Sequence, residues 1–345
     1  MIEKVVTFGE IMLRLSPPNF MRFIQTHSFD VIFGGGEANV AVSLANYGIP
    51  VDYITKVPNN EIGDACIQFL RKYNVNTNMI VRGGDRIGIY YLEMGSSIRP
   101  SKIIYDRANS AISEANSKDF NWHRIFDGAS WFHFTGITPA ISQNLASICL
   151  EALKVAKEKK ITISCDLNYR SKLWKYGKES SEVMPELIKY CDIIIGNEED
   201  ADKILNIKAP NTDVTSGKLE SENYKYVVEE IVKKFPNLKK IAITLRGSIS
   251  ASHNLWSAIL YDGKKLFTGP QYEIKPIVDR VGGGDSFMGG LIYGLLTYKN
   301  DLQSALDFAI AASCLKHTIF GDFNLVSVDD VLKLMGGDTS GRVSR

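Results

Sequence analysis

A chain of 345 residues has room for one large α/β domain or two modest ones, and at 45% hydrophobic and 23% charged it can build a real core. A formal net charge of +1 carries no basic excess, so neither nucleic acid nor a membrane surface is the expected partner, and a small molecule is. No apolar run reaches the ~20 residues of a membrane helix. The five cysteines (Cys66, Cys149, Cys165, Cys191, Cys314) are scattered without a C-x-x-C pair, and Met1 to Val6 have no apolar signal region. These features predict a reduced, cytoplasmic protein.

Lys4 to Gly9 reads as a buried strand ending at glycine. The alternating stretch Glu10 to Ser16, stopped by Pro17 and Pro18, and the short run Phe29 to Phe33 read as half-polar strands standing off the main sheet. Gly34-Gly35-Gly36-Glu37-Ala38-Asn39 then opens a helix of small residues, either a tight packing turn or a close backbone approach to a ligand. Val51 to Val57 is a predicted strand and Ile62 to Tyr73 a predicted helix. Ile87 to Glu93 and Lys102 to Arg107 are strands with no helix between them, and they are expected to join the early pair in a four-stranded cover. Further on, helices are predicted at 141–157, 182–190, 198–205 and 224–235, and strands at 161–166, 192–195 and 240–245. The polar stretch 206–222 reads as a surface loop. Trp256 to Tyr261 and Lys264 to Phe267 flank the hairpin turn Asp262-Gly263. An apolar helix after Asp285 and another at 302–318 complete the core. This alternation predicts an α/β fold with a mostly parallel central sheet, in one domain spanning 1–335, with lid strands from about 11–33 and 86–107 and a flexible tail at 336–345.

In open parallel sheets, ligands bind beyond the carboxyl ends of the strands. The residues there are Gly34 to Asn39, Asp166 to Arg170, Gly196 to Asp200, Arg246 to Ser248 and Gly282 to Asp285, a set suited to phosphate, Mg²⁺ and hydroxyl groups. The run Asp279-Arg280-Val281-Gly282-Gly283-Gly284-Asp285 is the focus. Glycine amides and the start of the following helix make an anion pocket. Asp285 beside it reads as a helix cap when the run is taken alone, or as a general base for a hydroxyl that attacks a phosphate. The P-loop, protein-kinase, dinucleotide, H-E-x-x-H and G-x-S-x-G motifs are all absent, and the histidines lack metal spacing.

The pairing of Gly34-Gly35-Gly36-Glu37-Ala38-Asn39-Val40-Ala41 with Asp279-x-x-Gly282-Gly283-Gly284-Asp285-Ser286-Phe287 resembles the two signatures of the ribokinase-like (PfkB) carbohydrate kinases. Asp166-x-Asn168-x-Arg170 and Asn197-x-x-Asp200 fall between them in the family's order. The resemblance runs from Val6 to about Phe320. It implies a three-layer α/β/α fold with a small β-sheet lid, and transfer of the γ-phosphoryl of MgATP to a sugar hydroxyl. Gly282, Gly283 and Gly284 would form the anion hole and Asp285 the catalytic base. Asn168, Asn197, Thr244, Arg246 and Gly247, with Gly282 and Gly284, would contact the nucleotide. Asn197 and Asp200 would hold Mg²⁺ through water. Two positions depart from the family pattern: Gly283 where alanine is usual, and Asp200 where glutamate is usual, which leaves Glu198 and Glu199 as possible sharers of the metal role. A monovalent-cation requirement stays open, and the fold suggests a homodimer through the lid.

For the sugar, Gly34, Gly35, Asn39, Tyr90, Tyr105, Arg107 and Arg170 are the expected contacts, together with Asp285. Two arginines with two tyrosines suit a carboxylate, which guanidinium binds bidentately. Arg280, where many sugar kinases carry threonine, adds to that impression. The set, with the opening Gly9 to Pro18, is similar to the 2-keto-3-deoxygluconate kinases within the family, so a sugar acid phosphorylated at its terminal hydroxyl is expected. A kinase of a neutral sugar and a non-catalytic sugar-binding regulator on the same fold are the alternatives.

Overall fold

The structure is a computed structural model and describes residues 3–208 and 221–338. In chain order its strands begin with β1 (Lys4–Phe8), β2 (Met12–Ser16), β3 (Asp30–Gly34), β4 (Val51–Ile54), β5 (Lys56–Val57), β6 (Val81–Arg82), β7 (Gly88–Glu93) and β8 (Lys102–Asp106). They continue with β9 (Ala129–Thr135), β10 (Thr162–Asp166), β11 (Ile193–Gly196), β12 (Lys240–Ser250), β13 (His253–Tyr261), β14 (Leu266–Thr268) and β15 (Tyr272–Ile274). Nine of the described strands form one sheet in the order β14-β13-β12-β11-β10-β9-β1-β4, with β15 also paired to β13. From β4 to β12 every pairing is parallel, and the β12–β15 end is antiparallel.

Alternate residues of the central strands feed opposite layers, as a period of two requires. Val6, Phe8, Phe132, Phe134, Ile163, Cys165, Ile241 and Ile243 enter one core, with the helices Gln143–Glu158, Ser180–Ile188 and Ser221–Lys234. Val5, Trp131, Ile193, Ile195 and Ala242 enter the other, with the helices Gly36–Asn46, Glu61–Arg71, Gly283–Tyr298 and Leu302–Lys316. Both faces of the sheet are therefore covered, which is why its strands read as apolar runs.

The expected cover is present as a separate four-stranded sheet, β3-β2-β7-β8. Its burial alternates along β2, because one face looks inward and the other outward, whereas β8 is exposed throughout. The Asp262-Gly263 turn also forms as expected. Gly263 takes a positive φ of 89°, and Asp262 accepts the amide protons of Lys264 and Lys265 at 2.9 and 2.7 Å.

Some elements differ from expectation. The run 51–57 is two strands, because the chain leaves the main sheet after Ile54 to pair Lys56–Val57 with Val81–Arg82. β9 was not anticipated, although it lies in the middle of the sheet: Ser130 and His133 interrupt its apolar run. In the fold His133 is buried, its Nδ1 meets Ser164 Oγ at 3.0 Å, and burial pushes its pKa down to about 3. A final helix, Val328–Met335, was also not anticipated; it carries a capping box between Ser327 and Asp330. The predicted loop at 206–222 and the tail at 336–345 fall largely outside the described residues. Among the described residues no helix is long and apolar enough to cross a membrane.

Candidate active site

The carboxyl ends of the parallel strands and the inner face of the lid enclose a cleft of about 960 Å³. Around it stand Gly34 at the end of β3, with Gly35 and Asn39 beyond it; Tyr90 and Tyr105 on the lid; Asp166 at the end of β10, with Asn168 and Arg170 beyond it; Asn197 and Asp200 after β11; Thr244 and Arg246 on β12; and Gly282, Gly283, Gly284 and Asp285 at the start of the helix Gly283–Tyr298. Nearly every residue singled out from the sequence thus faces one space. Arg107 and Gly247 are not among the lining residues.

The glycine run is shaped by its neighbours. Gly282 caps the helix with φ 81°, a left-handed conformation, and a Cβ there would stand 2.1 Å from the Asp322 carbonyl oxygen, so only glycine fits. Nothing lies within 4 Å of the Cβ position of Gly284, so this residue opens onto the cleft. Helix geometry leaves the first-turn amides without intrahelical acceptors, and they point the positive end of the helix dipole into this opening. A phosphate-sized anion fits such a cradle.

Asp285 stands half-buried in the first turn of the same helix. Its Oδ2 accepts from Asn39 Nδ2 at 2.7 Å, and Asn39 Oδ1 accepts from the Gly35 amide at 3.2 Å. The two glycine clusters are therefore joined through one asparagine, which fixes the carboxylate, and among the described residues no hydrogen bond engages Oδ1, so it can meet a hydroxyl. Burial, aided by the charges of Glu37 and Asp322 and opposed by the Asn39 hydrogen bond, pushes the Asp285 carboxyl up to about 7. A carboxylate tuned near neutrality is what a general base needs.

Arg170 is exposed on the cleft wall, and its guanidinium donates to the Tyr169 carbonyl at 2.8 Å. Tyr90 and Tyr105 lie 6.2 Å apart on the lid face. Arg107 is placed differently from expectation. Its guanidinium binds Glu10, whose other oxygen accepts from Ser110 Oγ at 2.6 Å, and it lies 5.6 Å from the centre of the Tyr105 ring. A buried arginine at the base of the lid needs a carboxylate partner, and Glu10 supplies it, so Arg107 supports Tyr105 from behind.

At the other end of the cleft, Asn197 caps the helix Glu198–Leu205 in a capping box with Asp200. The Asp200 oxygens accept from the Tyr169 and Asn197 amides, each at 2.8 Å, and Glu198 accepts from Tyr224 Oη at 2.5 Å. Among the described residues no group of three or more His, Cys, Asp or Glu is placed to hold a metal ion directly. Amide and carboxylate oxygens lining the cleft suit a hard cation that keeps its water shell.

Two features were not read from the sequence. Glu37 lies buried beneath the site, where one oxygen accepts from the Thr135 amide and the Thr135 and Thr138 hydroxyls at 3.0, 2.8 and 2.7 Å. Arg14, on β2, is buried between Asp279 at 2.6 Å and Asp322 at 2.8 Å, and Tyr90 also donates to Asp322. This network ties two lid strands to both ends of the segment that shapes the glycine run. Polar residues on an alternating strand were the signal for Arg14, while nothing around Asp322 marks it.

A covered cleft with an anion cradle, a tuned carboxylate and polar walls defines an enzyme that phosphorylates the hydroxyl of a small molecule. Residues 2–324 match the family described as pfkB family carbohydrate kinase. The chain belongs to that family. A 2-dehydro-3-deoxygalactonokinase of Haloferax volcanii is 30% identical over 341 residues, covering 99% of each chain. The crystal structure of a 2-dehydro-3-deoxygluconokinase from Thermotoga maritima is 53% identical, with a TM-score of 0.92, and covers 97% of this chain and 100% of that one. A 5-dehydro-2-deoxygluconokinase of Listeria innocua is 25% identical over 312 residues, covering 90% of this chain and 88% of its own.

Proposed function

We propose that this carbohydrate kinase transfers the γ-phosphoryl of ATP to the terminal hydroxyl of 2-keto-3-deoxygluconate, giving 2-keto-3-deoxy-6-phosphogluconate. The observation that carries the reading is Arg170. It lines the cleft that Tyr90 and Tyr105 also line, and among the described residues no ion pair joins it to a carboxylate. An open guanidinium in a cleft that also holds tyrosines favours a substrate carboxylate. The names of the three relatives support this, since each denotes a kinase of a deoxy keto sugar acid.

In this reading Gly34, Gly35, Asn39, Tyr90, Tyr105 and Arg170 hold the sugar acid with its terminal hydroxyl toward Asp285, and Arg107 acts by backing Tyr105. Asp285 Oδ1 takes the hydroxyl proton as the new oxygen–phosphorus bond forms. The bond to the β–γ bridging oxygen breaks, and ADP leaves with that electron pair. Amides of Gly282, Gly283 and Gly284 would meet the charge on the transferring group, the Gly283 amide by giving up its 3.4 Å contact with the Arg280 carbonyl. Asn168, Asn197, Thr244 and Arg246 line the nucleotide side. Asn197 and Asp200 would hold Mg²⁺ through water, and the ion when bound offsets phosphate charge. The lid excludes water from the reacting groups. The exposed lid surface supports a homodimer through this sheet.

The test is a panel of acceptors with ATP, reading ADP release: 2-keto-3-deoxygluconate, its galacto epimer, 5-dehydro-2-deoxygluconate, fructose and ribose. The keto-deoxy acid should give the highest kcat/KM. Faster turnover of fructose or ribose would refute acid recognition.

A further inference from the structure

We propose that Arg280 reads the transferring phosphoryl group, held in place by a loop that the lid clasps. This rests on the kinase reading above. Arg280 lines the cleft two residues before the glycine run. Its Nη2 donates to the carbonyls of Ser250 and Ala251 at 3.1 and 2.8 Å, and no hydrogen bond among the described residues engages Nε or Nη1. The other arginines that enter the interior, Arg14 and Arg107, each meet a carboxylate. Arg280 does not. Asp279, the acid near it, is already taken by Arg14 at 2.6 Å and by the Val281 and Gly321 amides.

The neighbours of Arg280 sharpen the choice of ligand. Burial and the nearby charge of Arg246 both disfavour its protonated form. Two cations lining one space suit a multiply charged anion, and a phosphate suits them better than a single carboxylate. Arg170, by contrast, exerts its field on Asp166, Asp200 and Asp285. Arg280 leads directly into the glycine run along the chain and lines the same cleft, so we assign it to the glycine cradle rather than to the sugar carboxylate.

The carbonyls that anchor Arg280 lie at the tip of the β12–β13 hairpin, and that tip touches the lid. The Ala251 amide donates to the Ser97 carbonyl at 2.8 Å, and the Ser97 amide to Ser252 Oγ at 2.9 Å. Ser97 sits in the turn between lid strands β7 and β8. Lid, hairpin and guanidinium thus form one chain of contacts ending at the phosphate cradle.

The experiment compares Mg²⁺-AMP-PNP with Mg²⁺-ADP binding by calorimetry, which needs no knowledge of the sugar. Arg280→Met should weaken AMP-PNP on the order of ten- to a hundredfold while leaving ADP within about twofold, since a charged hydrogen bond to the terminal phosphoryl is lost. With the sugar acid, kcat should fall while the acceptor KM holds, and Arg280→Lys should restore part of kcat. An equal loss for both nucleotides would show that Arg280 only braces the hairpin, and a raised acceptor KM with unchanged AMP-PNP affinity would assign it to the sugar; either result overturns the proposal. Should Arg280→Met fail to fold, the AMP-PNP to ADP ratio of Arg280→Lys decides in the same way. Failure of every acceptor in the panel would overturn the substrate reading and leave the nucleotide comparison standing.

Discussion

Asp285 can take a proton only when ionised, and its carboxyl is raised from 3.8 to about 7, by burial first and by Glu37 and Asp322 second. Its activity as a base should therefore be lost as pH falls through about 7. The kcat/KM for the acceptor should rise about tenfold per unit below that value and flatten above it; a profile flat from pH 5.5 to 8 would contradict the assignment. Replacing Asp285 with asparagine should lower kcat by ~10²–10⁴-fold while nucleotide binding is kept. The same shift has a consequence for stability. The folded carboxyl binds its proton more tightly than the unfolded one, so the charge destabilises the fold as pH rises from about 4 to about 7. Asp285→Asn should therefore raise Tm at pH 8 by roughly 2–4 °C and leave it unchanged at pH 4. At this scale much of the site was legible, because Asp285, Asn39 and Arg170 follow strands or open helices, and the parallel fold sends those positions to one place. Asp322 and Glu37 were not legible. The Asp322 pairing with Arg14 joins residues 308 positions apart, and local pattern carries no trace of such a meeting.

Among the elements, the helix that begins at the glycine run depends on its closeness to two others. A Cβ on Gly290 would stand 2.9 Å from Ala309 Cα, and one on Gly294 would stand 2.7 Å from Ala305 Cα, both on the helix Leu302–Lys316. A Cβ on Gly289 would meet Ser43 Cβ, on the helix Gly36–Asn46, at 2.7 Å. Backbone atoms cannot yield as a flexible side chain can, so Gly294→Val should cost ~1–3 kcal/mol in urea denaturation. An unchanged midpoint would mean the helices are free to part. The strands show why reading by period succeeded in some places and failed in others. β1, β10 and the first half of β12 are mostly buried stretches between breaks, and β2 and β7 of the lid alternate. β9 carries His133, whose partner inside the core is Ser164 of β10, and a polar residue in a strand looks like a loop until its partner is known. Arg14 poses the same difficulty on β2: it stays charged despite burial because Asp322 and Asp279 flank it. Arg14→Met would leave two buried carboxylates without their shared guanidinium and should destabilise the protein by ~3–5 kcal/mol.

For the whole molecule, the lid is a separate small sheet with two edges of its own. Its edge strand β8 is exposed along its full length, and its other edge is β3. Val31 is 58% exposed and Ile104 56%, so apolar side chains and exposed strand edges coincide on one small sheet, while Ile103 lines the cleft with Tyr105. Exposed edges of this kind template pairing with another chain unless something covers them. Tyr105, one of the expected sugar contacts, lies on the same strand as Ile103 and Ile104, with its side facing the cleft. A second copy packed against the outer face would therefore stiffen the strand that presents Tyr105, linking assembly to substrate affinity. The expected outcome is a dimer by light scattering at micromolar concentration. Ile104→Glu should convert it to a monomer, because it places a charge in the apolar contact, and the monomer should show a higher acceptor KM while its affinity for ADP holds. A wild-type protein that is monomeric, or a variant that stays dimeric, would rule out the lid as the interface. A monomeric variant with unchanged acceptor KM would separate assembly from the site, leaving Arg107 and Glu10 sufficient to hold the strand.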